Sequence, residues 1–307
     1  MGRINRWRAG RLVIGLLLLA GCAGPTSTPP RRVLGDDTVT VGSFNFPESV
    51  LLAELYASVL ESRDIEVRRA LAIGPRELVM PSLQRGLLEL VPEYSGSALG
   101  FLGGSVSPDP TMTADRLRAA LSARGLVALD PARAQNQNGF VLTTSTATEL
   151  GVRTLSELRE HAASLRFGGP QECPRRPLCL AGLQRTYGLR FADVVPLDAG
   201  GPLTLQALRN GLVDVALLFS SDGALDEPGL VLLADDRSLQ PPEQIVPVVH
   251  AATVDRFGQR LVEALDGVST RLTTRDLRAM NAAVASGRTP EDVAREWLRD
   301  QGLLPTG

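Results

Sequence analysis

Two stretches of the chain repeat one pattern of apolar and polar positions. The first reads Gly86-Leu87-Leu88-Glu89-Leu90-Val91-Pro92-Glu93-Tyr94-Ser95-Gly96-Ser97. The second reads Gly211-Leu212-Val213-Asp214-Val215-Ala216-Leu217-Leu218-Phe219-Ser220-Ser221-Asp222. In each, a helix-like segment stops at glycine, and an apolar run interrupted by one acid, Glu89 or Asp214, follows. At the same distance beyond the glycine comes an aromatic, Tyr94 or Phe219, and then small polar residues. A glycine stop before a short buried run predicts a helix followed by a strand. Ligands of open α/β sheets collect outside the carboxyl ends of the strands. Two such units, each presenting an aromatic and hydroxyls there, predict two lobes facing one cleft.

The surrounding pattern extends this. Thr38-Val39-Thr40-Val41 alternates as a strand and ends at Gly42-Ser43, with Phe44-Asn45-Phe46 as a loop. Pro47-Glu48 opens a helix, with proline in the first turn and an acid complementing the dipole. Residues 65–70 predict the next strand, and Gly74-Pro75-Arg76 opens the helix into the first repeat. This β-α-β-α-β run predicts a parallel sheet with helices on both faces. A helix is predicted over 113–124 and a strand over 140–144, preceded by the uncharged polar loop Ala134-Gln135-Asn136-Gln137-Asn138-Gly139. Residues 245–249 form another strand, whose Pro247 predicts an edge or crossover position. Helices follow over 254–267, 273–286 and 290–301. The strands at 140–144 and 245–249 bracket an inserted segment of about 100 residues, an ordinary domain size, and two crossing strands make a hinge. Lobe 1 is therefore assigned to 38–140 and 246–307, and lobe 2 to 141–245.

Composition is globular: 44% hydrophobic and 21% charged over 307 residues, with a net charge of −2. All 32 basic residues are arginine. Arg3, Arg6, Arg8 and Arg11 precede a short apolar run, Leu12-Val13-Ile14-Gly15-Leu16-Leu17-Leu18-Leu19-Ala20, as in a targeting segment. Setting those four aside leaves 28 basic against 34 acidic residues, a net of −6, which argues against nucleic acid as a partner. Leu19-Ala20-Gly21-Cys22 resembles the bacterial lipobox. That resemblance implies a signal peptide over 1–21, lipidation of Cys22 and a Pro/Ser/Thr-rich tether over 22–37. The chain is then exported and held by its lipid on the outer face of the cytoplasmic membrane. In that oxidising compartment Cys173 and Cys179 are read as a disulfide, contributing roughly 2 kcal/mol. A metal site at these cysteines is rejected for want of nearby histidine, since His161 and His250 are the only two.

No nucleophile–base pair, metal motif or phosphate loop emerges, so neither catalysis nor a cofactor is expected. What remains is pocket chemistry: Asn, Gln, Ser and Thr in loops, a few aromatics and an arginine-bearing cysteine loop.

Five motifs in order carry a resemblance. They are Gly42-Ser43-Phe44-Asn45-Phe46-Pro47-Glu48, Pro92-Glu93-Tyr94-Ser95-Gly96-Ser97, Glu172-Cys173-Pro174-Arg175-Arg176-Pro177, Asp198-Ala199-Gly200-Gly201-Pro202-Leu203-Thr204 and Ser220-Ser221-Asp222-Gly223. Together they resemble the substrate-binding lipoproteins of osmoprotectant (glycine betaine, choline, carnitine) ABC transporters, over about 38–305. The resemblance implies the α/β type II periplasmic-binding-protein fold: two lobes, two crossover hinge strands and an interlobe ligand cleft. It implies a monomer that delivers a small solute to a membrane permease driven by a cytoplasmic ATPase.

Carried over by motif, Tyr94 and Phe219 are cage aromatics for a quaternary ammonium, with Phe44 beside them. Ser97 and Arg176 meet the ligand carboxylate, and Asn45, Asn136, Gln137, Asn138, Thr204, Ser220 and Asp222 complete the expected lining. Three departures thin the cage. Phe44 stands where many members have lysine, Asn136-Gln137-Asn138 where they have an Asp-x-Tyr pair, and Pro241-Pro242-Glu243 where a cage tyrosine often follows two prolines. The thinner cage suggests a more polar or larger ligand than glycine betaine. A binding protein of the same fold for a non-betaine polar or aromatic solute, or a non-transport sensor lipoprotein, is the alternative reading. An enzyme of that fold, of the porphobilinogen deaminase kind, is disfavoured because its cysteine chemistry and cytoplasmic location do not match this chain.

Overall fold

The computed structural model describes residues 37–305. The expected signal peptide, Cys22 and nearly all of the tether lie outside them. Among the described residues, ten strands form two five-stranded sheets of matching plan. In the first, β1 (Thr38–Phe44) lies between β2 (Glu66–Gly74) and β3 (Leu90–Tyr94), all parallel; β10 (Ile245–His250) runs antiparallel to β3, and β4 (Leu126–Ala128) closes the edge. In the second, β6 (Arg166–Gly169) lies between β7 (Asp193–Pro196) and β8 (Val215–Phe219). There β5 (Asn138–Thr143) runs antiparallel to β8, and β9 (Leu230–Leu232) closes the edge. The repeat read in the sequence supplies β3 and β8, which hold the same position in the two sheets.

The acid inside each repeat has one structural job. Glu89 exchanges hydrogen bonds with the backbone of Thr40, its amide donating to the Thr40 carbonyl at 2.8 Å and its Oε2 accepting from the Thr40 amide at 3.0 Å. Asp214 does the same with Arg166, at 2.9 and 2.8 Å. Each acid also holds an arginine, Arg256 for Glu89 and Arg166 for Asp214. A charge is tolerated at the mouth of a buried strand because every one of these bonds is made.

The sheets are mixed, not parallel throughout as the local pattern predicts. Each receives one antiparallel strand after the chain has crossed from the other sheet, a long-range pairing that local periodicity does not encode. The crossings are residues 129–137 and 233–244, and they meet in an antiparallel bridge between Gln135 and Gln244. Pro247 is also not on an edge: β10 is internal. It faces Pro92 across the ladder, and its carbonyl accepts from Leu129, just beyond the end of β4. The missing N–H therefore falls where the neighbouring strand has already stopped.

Among the helices, α1 (Pro47–Glu61) is buried on nearly all sides and centres the first core with Tyr56. Then come α2 (Arg76–Gln84), α3 (Ser95–Phe101), α4 (Pro110–Ser122), α5 (Thr144–Leu150), α6 (Leu180–Tyr187) and α7 (Pro202–Arg209). The stretch after Tyr94, expected as a polar strand end, is the helix α3. Helix α4 starts at Pro110, ahead of the expected 113, because Asp109 caps it by accepting from Thr111 and Met112. The helix expected over 254–267 is two, α8 (Ala251–Phe257) and α9 (Gln259–Arg271), broken at Gly258, whose φ of +57° ends the first. Helices α10 (Thr274–Ala285) and α11 (Pro290–Asp300) match their expected spans closely. A second core gathers Phe140, Phe167 and the fully buried Tyr187. Cys173 and Cys179 are joined, Cα atoms 5.3 Å apart, at its margin. No helix of the described residues is long and apolar enough to cross a membrane.

Candidate functional site

The carboxyl ends of β1, β3 and β8 and the two crossing segments enclose a cleft of about 430 Å³. From the first sheet come Phe44, Asn45 and Phe46, with Tyr94 at the end of β3, Ser97 on α3 and Pro75-Arg76 at the start of α2. The second sheet and its loops offer Asn138 at the start of β5, Phe219, Glu172, Arg176, Leu178 and Ala199, and the crossings add Asn136, Gln240 and Glu243.

An aromatic row lines one wall. Phe44 stacks on Phe46 with centroids 5.9 Å apart, and Phe46 meets Tyr94 at 6.0 Å. Part of this row is already engaged, because the Arg76 guanidinium sits 5.1 Å from the Phe44 centroid. Arg76 is held there by Glu93, which takes its Nε and Nη2, the latter at 2.9 Å. Burial opposes the guanidinium charge, but the pairing with Glu93 outweighs it and raises the Arg76 pKa.

Below the aromatic row lies Glu48, a buried carboxylate held by four donors and no arginine. Its Oε1 accepts from the Tyr94 hydroxyl at 2.9 Å and from Asn136 Nδ2 at 2.6 Å. Its Oε2 accepts from Ser221 Oγ and from Asn281 Nδ2, the latter at 2.7 Å. Those four residues belong to β3, the first crossing, the turn after β8, and α10. Burial, reinforced by this carboxylate, pushes the Tyr94 phenol well above its usual value, so Tyr94 works as a neutral donor and a ring.

Glu243 forms the other wall. It is 5% exposed, and its carboxylate accepts from Ser97 Oγ at 2.6 Å and the Ser97 amide at 3.0 Å. Burial raises its pKa from 4.5 to about 7 against these stabilising bonds. Its backbone carbonyl accepts from the Asn136 amide at 3.0 Å, which sets the two residues opposite each other on the crossing segments. Asn136 Oδ1 is buried and has no hydrogen-bond partner.

Of the residues expected at the site, Phe44, Asn45, Tyr94, Ser97, Asn136, Asn138, Arg176 and Phe219 line this cleft. Four do not. Gln137 braces the crossing, exchanging backbone and side-chain bonds with Ser220 and donating Nε2 to the Pro241 carbonyl. Ser220 is thereby used up as its partner, while its carbonyl accepts from Arg278. Thr204 is fully buried and bonded to Asp198, which caps α7. Asp222 caps the following 3-10 turn by accepting from Ala224. In all four, polar side chains are taken up by the protein's own groups, nearby for Thr204 and Asp222 and far along the chain for Gln137 and Ser220, a use that sequence composition does not separate from ligand binding.

Arg176 is mostly exposed and lies 3.8 Å from Glu172. The Leu178 carbonyl accepts from both Asn138 Nδ2 and Gln240 Nε2, tying the cysteine loop to the crossings. Phe46, Glu48, Arg76, Gln240 and Glu243 escaped the sequence reading as site residues. Phe46 and Glu48 lie inside a quoted motif, and Glu243 stood out only as a missing tyrosine. Arg76 begins the helix of the repeat unit, a position whose aim depends on where α2 packs.

Residues 37–300 match the family described as the substrate binding domain of ABC-type glycine betaine transport system. The glycine-betaine-binding protein of Pseudomonas aeruginosa is 29% identical over 284 residues, covering 88% of this chain and 90% of that protein. The ergothioneine transport permease/ergothioneine binding protein EgtU of Helicobacter pylori is 22% identical over 282 residues, 89% of this chain and 49% of that longer protein. A crystal structure of a glycine betaine/carnitine/choline ABC transporter superposes with a TM-score of 0.77 at 24% identity, covering 86% of this chain and 99% of that one.

Proposed function

The chain belongs to the family of substrate-binding domains of ABC-type glycine betaine transport systems, and we propose that it captures a small osmoprotectant-like solute in the cleft described above. The family is one of solute-binding proteins of importers and not of enzymes. The observation that carries the reading is the cleft itself. It is built where the two matching sheets present their carboxyl edges, with an aromatic row on one side and polar groups on the other. A quaternary or protonated amine would lie against the free faces of Tyr94, Phe46 and Phe219, each contact worth roughly 0.5–2 kcal/mol. A ligand carboxylate would reach Arg176, whose exposed fork suits bidentate capture.

In this reading 38–140 with 246–307 and 141–245 are the two lobes, and the crossing segments are the hinge about which they close. The closed form docks on a permease served by a cytoplasmic ATPase. EgtU, named as permease and binding protein at once, shows a relative joined to such a partner. A lipid on Cys22 holds a monomeric protein at the outer face of the cytoplasmic membrane.

Cargo other than glycine betaine is favoured by one observation: a carboxylate and an amide, Glu243 and Asn136, line the cleft where the resemblance leads one to expect cage aromatics. The test is thermal unfolding of residues 23–307 against betaines, choline, carnitine, amino acids and aromatic amines. A ligand at a hundredfold excess over its Kd stabilises by about 2.7 kcal/mol. Tyr94→Ala should abolish the shift, whereas Tyr94→Phe, which keeps the ring and loses the bond to Glu48, should retain most of it. Absence of a shift with every solute would overturn the reading.

A further inference from the structure

One wall of the cleft is richer in hydrogen-bond acceptors than a cage for a peralkylated cation requires. Glu243 lines the cleft as a carboxylate with two of its lone-pair positions taken by Ser97. A carboxylate has about four such positions, so it retains unused accepting capacity. Beside it, Asn136 donates its Nδ2 to Glu48, which fixes the amide's orientation and leaves Oδ1 as an acceptor. That oxygen is buried, and no protein group donates to it. The backbone bond from Asn136 to Glu243 joins the two crossing segments, and both residues line the cleft. Buried acceptors of this kind lower the free energy of a bound donor and penalise a group that cannot donate.

We propose that Glu243 and Asn136 form an acceptor pair that selects a solute whose cationic nitrogen carries N–H protons over its fully N-methylated counterpart. The inference rests on the solute-binding reading above and narrows its ligand class. The geometry distinguishes the two kinds of head group. A trimethylammonium presents only methyl groups to Glu243 and Asn136, leaving Oδ1 unpaired and the carboxylate without a directional partner. An ammonium with at least one N–H gives the carboxylate a charge-assisted bond, and one with two N–H groups also reaches the amide oxygen. The aromatic row still supports the alkyl groups of a partly methylated nitrogen.

Charge supports the assignment. Around Glu243 stand Arg76 on α2, ion-paired with Glu93 on β3, then Tyr94 and Glu48, with Glu172 and Arg176 across the cleft. Neither histidine lines the cleft. A cation placed against Glu243 favours its ionised form, and in the empty protein that form is complete only above a pKa of about 7. Binding of such a cation should therefore release protons near neutrality and strengthen as pH rises from 6 to 8.

The experiment is calorimetric titration of residues 23–307 with glycine betaine, N,N-dimethylglycine, sarcosine and glycine, and with choline against N,N-dimethylethanolamine, at pH 6 and 8. Each series alters the number of N–H groups and keeps the rest of the solute. At pH 8 the wild type should bind dimethylglycine at least about tenfold more tightly than glycine betaine. The preference should shrink at pH 6. In Glu243→Gln it should fall below about threefold and lose its pH dependence, with unfolding of the empty variant confirming that it folds. Equal or tighter binding of glycine betaine by the wild type overturns the inference, as does an unchanged preference in the variant; both leave the solute-binding reading intact. If none of the six compounds binds, the osmoprotectant reading fails and the inference with it.

Discussion

At the scale of single residues, Glu243 shows how a wall of the cleft is held at a cost in stability. Its carboxyl titrates at 4.5 when free and at about 7 in the fold, chiefly because burial disfavours the charge. The folded state therefore holds this proton more tightly than the unfolded chain. Its contribution to stability is complete below 4.5, is lost as pH rises towards 7, and is absent above. The loss is roughly 3 kcal/mol. Glu243→Gln should match the wild type near pH 4.5 and exceed it by about 1–3 kcal/mol at pH 8, measured by urea unfolding at both pH values. A difference independent of pH would contradict this account. The sequence showed an acid after two prolines and no more, since the serine that anchors it comes 146 residues earlier.

Among the elements, α10 does more than its amphipathic pattern suggests. A capping box between Thr273 and Asp276 starts it, and Leu277 and Met280 face the first core. Its polar side grips the turn after β8: Arg278 donates to the Ser220 carbonyl and pairs with Asp226, and Asn281 donates to the Ser221 carbonyl. Gly223 makes the approach possible, because a Cβ there would lie 2.6 Å from the Ala282 Cβ and 2.7 Å from its nitrogen. Gly223→Ala should cost about 1–3 kcal/mol by overpacking. Gly100→Ala on α3, where a Cβ meets nothing within 4 Å, should be neutral or stabilise by about 0.5–1 kcal/mol. Paired thermal melts of the two variants test this. The span of α10 was legible from its apolar spacing; its grip on the second sheet was not, because Arg278 and Asn281 read as an ordinary solvated face.

For the whole molecule, Glu48 is the side chain through which the parts are joined. Four donors from four segments converge on it, including one from the turn after β8 in the second sheet and one from α10. Glu48→Ala strands all four donors, and bonds to a charged group are worth about 1.5–3 kcal/mol each before compensation. The variant should melt well below the wild type and, with the two cores no longer tied, show a broadened or double calorimetric transition. Glu54→Ala, which removes a bond to Arg69 on β2, should lower the midpoint and keep one transition. A single sharp transition in Glu48→Ala would show that the crossings alone couple the cores.

Several features followed from the sequence by itself. They are the α/β class, the repeated helix–strand unit, the glycine stops, most helix spans and the aromatic at each strand end, because each depends on neighbours within a few turns of chain. Tyr94 and Phe219 were legible as residues lining the cleft for that reason. Only the tertiary structure decided which polar residues face the cleft and which, like Thr204, Asp222 and Gln137, are consumed by caps and crossings. It also decided that Pro247 sits inside a sheet and that Glu48, a first-turn acid by sequence, lies at the junction of four segments. Those outcomes depend on pairings between residues far apart in the chain, and a buried charge acquires its meaning from partners that only folding brings to it.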